Sequence, residues 1–244
     1  MKLPEANVAR EQAVAKRWVP FVTGAVLSFS AGTVNGAATV ALVFERTTHM
    51  SGRVNDLLRD LVFDPPEGLL VACLVGSFVL GAFFAGMLVP RRGVTPALLG
   101  TAVLLAAAGA ATWTGEVALD GSRYIVASLL ALAAGLQNGA TSQVAVGRTT
   151  HVTGDLTDLA IAMAAGDRGR AAFLLAKLTA FSGGGIAGFM GIRHGHLALV
   201  LLLCALTVVA GLICLQQLER RLSLPMAAEA SGRRSTTSDN RYLS

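Results

Sequence analysis

Charge is what this chain has least of. Asp, Glu, Lys and Arg together make up 14% of its 244 residues, against about a quarter in an ordinary soluble domain, and so little charge excludes a water-exposed globular surface. Cysteine is as sparse. Cys73, Cys204 and Cys214 have neither an even count nor metal-ligand spacing, so a disulfide framework and a cysteine metal site are excluded and all three are expected as free thiols in apolar surroundings. No Walker lysine, H-E-x-x-H or nucleophile elbow occurs, so no catalytic residue, cofactor or metal centre is expected and the chain is not read as an enzyme. The one G-x-G-x-x-G match, Gly183 to Gly188, lies in an apolar run with no preceding strand and reads as helix packing.

What is present is apolar. Hydrophobic residues make up 53% of the chain, glycine contributes 27 positions, and mean hydropathy is +0.60. Nearly charge-free runs fall at 19–44, 68–89, 95–115, 123–146, 171–192 and 197–215. About 20 apolar residues at 1.5 Å each cross a hydrocarbon core of about 30 Å, so the sequence predicts an all-α membrane protein with six transmembrane helices. The first run is not read as a cleaved signal peptide, because a related run with the same Asn-Gly pair lies inside the chain, where no signal peptidase acts.

The net charge of +5 and a pI near 9.6 do not imply nucleic acid, because the cations sit in tails and loops. The N-terminal segment, the second and fourth loops and the C-terminal tail hold fourteen Lys and Arg, and the other three loops hold five. That asymmetry predicts an inner-membrane protein with both termini cytoplasmic, its first partner being the lipid bilayer. Lys177 is the one cation left inside a predicted span, and its stem is expected to snorkel to the interface.

The chain also repeats itself. Arg46-Thr47-Thr48-His49 and Arg148-Thr149-Thr150-His151 are each followed by a glycine three residues on, Gly52 and Gly154, and then by Asp-Leu. Each copy follows an apolar run with the signature Ala-Gly-x-x-Asn-Gly-Ala, at 31–37 and 134–140. Residues 18–115 and 116–218 therefore read as two three-helix repeats, flanked by a cytoplasmic N-terminal segment 1–17 and a disordered cytoplasmic tail 219–244. Three crossings is an odd number, so the second repeat enters from the opposite side and the two should be inverted about an axis in the membrane plane.

Several local expectations follow. The first helix, beginning at Trp18, should break at Asn35-Gly36, since both are poor helix formers. The glycines of the second and fifth spans, Gly76, Gly81 and Gly86 and then Gly184 and Gly188, should make those two helices the central pair, leaving the third and sixth peripheral. Residues 53–61 have an amphipathic pattern closed by Asp64-Pro65-Pro66.

The polar residues at membrane depth define the candidate site: Asn35, Thr48, His49, Gln137, Asn138, Thr150, His151 and Thr153. On a helix His151, Asp155 and Asp158 share one face, as do His49, Arg53 and Asp56. These faces meet water at helix ends, or the repeated segments turn back to line a polar cavity, as discontinuous helices do in transporters, or their His and Asp ligate a divalent ion. The amides of Asn35, Gln137, Asn138 and Gln143 either bond between helices or line a substrate path. Arg53 and Asp155 occupy equivalent positions with opposite charge: either they form a pair across the two halves, or they face opposite sides of the bilayer and never meet. His194 and His196 are weak candidates for anything beyond solvation or incidental metal binding.

The paired Asn-Gly and Thr-Thr-His-[Met/Val]-[Ser/Thr]-Gly signatures, the second preceded by Gly135-Leu136-Gln137-Asn138, resemble the YoaK-like family of small bacterial membrane proteins over almost the whole span 19–215. The resemblance implies a six-helix, permease-like protein and assigns no substrate. Asn35, Arg53 and Asp155 depart from the residues usual in that family at those places. The expected function is a permease or secondary transporter of a small solute or ion, with a homo-oligomer allowed and no nucleic acid partner. The competing class is a non-transporting scaffold or partner-binding subunit acting through its Arg-rich tail.

Overall fold

The computed structural model describes residues 3–42, 50–113, 120–195 and 197–236. Among them the chain is all helix: α1 (Leu3–Ala41), α2 (Met50–Phe63), α3 (Pro65–Arg92), α4 (Thr95–Ala111), α5 (Asp120–Thr141), α6 (Val152–Ala164), α7 (Arg168–Arg193) and α8 (Leu197–Thr236). Local chemistry marks the boundaries. Pro65 and Pro66 occupy the first turn of α3, where a missing N–H costs nothing, and Gly93 closes that helix at φ 73°, a conformation open to glycine. Asp167 caps α7 by accepting from the Arg170 N–H at 3.0 Å.

Three expectations about helix extent are corrected. α1 starts at Leu3, well before Trp18, and runs unbroken through Asn35-Gly36 to Ala41. Its glycine serves packing: a Cβ at Gly36 would overlap the Gly185 carbonyl oxygen of α7, so a continuous helix with a bare face is what the contact requires. α8 continues past Leu218 to Thr236, so residues 219–236 are helical where disorder was expected.

Each of the six apolar runs contains a helix, and four of these are long and apolar enough to cross a membrane: Pro65–Arg92, Arg123–Thr141, Arg168–Arg193 and Leu197–Gln217. α4 is apolar but has 17 residues, about 26 Å at 1.5 Å per residue. α2 and α6 are short helices that connect α1 to α3 and α5 to α7.

The packing exchanges the halves. α1 packs mainly on α7 and then on α8; α5 packs mainly on α3 and then on α4. Among the described residues α1 makes no close backbone approach to α2, α3 or α4, and α5 makes none to α6, α7 or α8. The register of the two interfaces is the same. Gly32 lies against the Phe181 carbonyl and Gly184 against that of Phe29; 103 residues further on for α1, and 103 earlier for α7, Gly135 lies against Phe78 and Gly81 against Leu132. The contacts also fix directions. α1 runs parallel to α7 and α3 parallel to α5, while α8 runs antiparallel to α1, joined by the Ser30 hydroxyl donating to the Cys204 carbonyl at 3.3 Å, and antiparallel to α4, where Gln216 donates to Thr95 at 3.2 Å.

The expected central pair is corrected accordingly. α3 and α7 do not touch each other, and a methyl group added at Gly76 or at Gly86 would meet nothing within 4 Å. Both helices lie outside, with Val79, Phe83 and Phe84 of α3 and Ile186, Phe189 and Met190 of α7 exposed, an apolar outer face suited to lipid. α4 and α8, expected at the periphery, supply the core instead: Leu98, Leu105, Leu201, Cys204, Val208 and Leu212 join Leu27, Leu42 and Leu130 in one buried cluster. Cys204 alone of the three thiols is buried; Cys73 and Cys214 are exposed.

Candidate functional site

The second repeated segment does turn back onto the bundle. After α5 ends at Thr141 the chain is irregular until His151, Gly147 adopts φ 70°, and Thr149 and Thr150 are nonetheless buried. Buried irregular backbone needs partners, and two amides of α5 supply them. Asn138 Oδ1 accepts from the Thr149 N–H at 3.0 Å, the Thr150 N–H at 3.2 Å and the Thr149 hydroxyl at 3.2 Å, while Asn138 Nδ2 donates to the Thr150 hydroxyl. Gln137 Nε2 donates to the Thr149 hydroxyl at 2.9 Å and to the Leu27 carbonyl of α1 at 3.1 Å, tying the segment to the other half. The motif is thus a clamp: Gln-Asn on a helix grips the Thr-Thr that follows it.

His151 is the residue before α6, so it does not share a helical face with Asp155 and Asp158; its side chain caps nothing. Its imidazole lies over Gly154, where a Cβ would overlap the ring, which explains the glycine three residues after the histidine.

Beside the clamp lies a cleft of about 430 Å³ between the 145–151 segment, α6 and the start of α7. His151, Asp158 and Arg170 line it, and Lys177 and Asp155 are also in its wall. Seven residues of α7 separate Arg170 from Lys177, so the cleft reaches inward by about 10 Å. Lys177 does not snorkel. It is 2% exposed, donates to the Arg148 carbonyl at 2.7 Å, pairs with Asp155 Oδ2 at 2.9 Å, and stands 5.6 Å from the Phe173 ring centre. Arg170 pairs with Asp158 at 2.8 Å where both are more exposed. On the inner side of the clamp is a void of only about 10 Å³, room for about one water, lined by Thr101, Gln137 and Thr150 among apolar residues.

Gln137, Asn138, Thr150 and His151 are therefore brought together. Thr153 is exposed on α6 and stands apart. Asn35 sits half-buried on α1, its carbonyl accepting from the Thr39 hydroxyl at 2.8 Å. Thr48 and His49 lie outside the described residues. Arg53 and Asp155 do not pair with each other: Arg53, 7% exposed, faces Asp56 at 3.7 Å within α2, Asp155 belongs to Lys177, and α2 and α6 do not touch. Beside them Arg59 Nε donates to Asp60 Oδ1 at 2.6 Å, and that hydrogen bond raises the guanidinium pKa. Gln143 donates to the Ala85 carbonyl of α3 at 3.3 Å, the interhelical role. The residues missed as site members are Lys177 as a partner for Asp155, Arg170, and Thr149.

A helical bundle with four apolar spans, unwound backbone clamped inside it and an apolar outer surface has the form of a multi-pass membrane protein. This chain belongs to the family described as "Protein of unknown function (DUF1275)", which it matches over residues 23–214. No curated protein and no solved structure matches it.

Proposed function

We propose that this chain is a permease or secondary transporter of a small solute or ion in the inner membrane, built as two inverted repeats of three spanning helices. α1 and α4 complete the set of six spans, and helix directions support this: alternate crossings assigned in chain order make α1 parallel to α7, α3 parallel to α5, and α4 antiparallel to α8, as their contacts require. Both termini and the cleft then lie on the cytoplasmic side, by the Lys and Arg asymmetry. The observation that carries the reading is the cleft itself, about 430 Å³ with a buried Lys–Asp pair in its wall and a clamp of unwound backbone closing it from the interior. That is an inward-facing site shut at its inner end, and alternating access consists of moving the exchanged helices across the two interfaces of matched register.

Purified protein reconstituted in liposomes tests this. Solutes that raise its thermal midpoint in a broad metabolite screen should be taken up by the vesicles. A protein that no solute stabilises and that moves none, yet loses its cellular role when residues 219–244 are removed, would be the non-transporting scaffold instead.

A further inference from the structure

The cleft has a sign. Arg148, Arg170 and Lys177 line it against Asp155 and Asp158, one more fixed positive charge than negative. The N-terminus of α6, a 13-residue helix whose leading His151 side chain caps no N–H, faces the same space and adds partial positive charge. Lys177 has three N–H donors, and among the described residues its hydrogen-bond acceptors are two, the Arg148 carbonyl and Asp155 Oδ2. The third N–H meets no acceptor stronger than the Phe173 ring, 5.6 Å away, and Lys177 stands in the wall of a cavity whose volume is ordinary for a metabolite site.

We propose that the cleft binds a small carboxylate, held by Lys177, with Asp155 acting as the internal carboxylate that occupies the ammonium when the ligand is absent. This deepens the transporter reading by naming a substrate class and rests on the same cleft. The chemistry favours a carboxylate because the site already accommodates one: Asp155 reaches Lys177 at 2.9 Å from the N-terminal turn of α6, with 16% of its side chain exposed to the cleft. An incoming carboxylate takes the spare donor first and then competes for the shared one. A cation has no such place, since each carboxylate in the cleft already has a cationic partner, Asp155 with Lys177 and Asp158 with Arg170.

The test uses the full chain in detergent, with L-lactate as probe and lactamide and chloride, at matched ionic strength, as neutral and anionic controls. Lactate should raise the thermal midpoint of the native protein. It should raise that of Asp155→Ala further, because the ligand then supplies the missing partner. Loss of the ammonium in Lys177→Met should weaken lactate binding roughly tenfold or more, the equivalent of one charge-assisted hydrogen bond. Should Lys177→Met not fold, Lys177→Arg keeps a cation and should retain the lactate response. The proposal is overturned if lactate acts no differently from lactamide and chloride on both the native protein and Asp155→Ala. Vesicle flux separates it from the broader reading. Lactate that binds and is not moved leaves the site and removes transport, whereas a neutral solute that is moved while lactate binds nowhere leaves transport and removes the carboxylate.

Discussion

Gly135 of α5 lies so close to the main chain of α3 that a methyl group on it would overlap the carbonyl oxygen of Phe78. Gly32 of α1 stands in the same relation to Phe181 of α7. Because the obstructing atoms are backbone, nothing short of separating the helices makes room. Gly135→Ala and Gly32→Ala should each destabilise the protein by about 2 kcal/mol or more, read as unfolding in mixed detergent. Gly76→Ala and Gly86→Ala, where space is open, should be neutral or slightly stabilising through helix propensity. Equal effects at all four sites would refute the close-approach account.

The Lys177–Asp155 pair makes a second prediction. Lys177 is 2% exposed, so removing Asp155 strands a charge away from water. Asp155→Asn and Lys177→Met should each cost about 3 to 5 kcal/mol, and the double variant distinctly less than their sum. Additive losses in the double-mutant cycle would show that the pair is not shielded.

The clamp makes a third. Asn138→Ala removes the acceptor of the Thr149 and Thr150 amides, each worth about 1 to 3 kcal/mol when left unmet. Hydrogen exchange at 149 and 150 should accelerate well before that of α4 or α8. Unchanged protection there would mean that something other than Asn138 holds the segment.

A fourth prediction concerns the outer face. Cys73 lies exposed on α3, about 12 Å along the helix from Pro65, and in a bilayer it meets acyl chains in place of water. A water-soluble reagent does not reach it among acyl chains, so a water-borne maleimide should leave Cys73 unmodified in native membranes and label it after denaturation in SDS. Rapid labelling of the native protein would place α3 outside the bilayer.

Apolar runs located a helix at each of six places, because about 20 residues without charge have few other solutions in lipid, but not the ends, since α1 begins at Leu3 and α8 runs on to Thr236. Which helices pack together was not legible, and the reason is physical. A glycine in a sequence marks a surface that is able to approach another backbone without saying whose, and Gly76 and Gly81, five residues apart on α3, have opposite surroundings. The clamp was half legible: Gln137, Asn138 and Thr150 stood out as polar groups in apolar context, but the hydrogen bonds joining them cross a gap of 12 residues that no helical period describes. Lys177 carried the clearest unused signal. A lone cation within an apolar span needs a counter-charge, and Asp155 on the preceding connecting helix was available to supply it.

The exchange of first helices between halves sets a schedule for the growing chain. α1 leaves the ribosome early, yet the helix it fits, α7, starts 127 residues after α1 ends. At about 5 to 20 residues per second, that is roughly 6 to 25 s in the membrane with the bare glycine face of α1 unmatched. α5 faces no such delay, since α3 and α4 are already made when it emerges. The nascent protein therefore completes the α3–α4–α5 side first and closes on α1 last, and a chain cut short before α7 leaves the glycine face of α1 without the surface it fits.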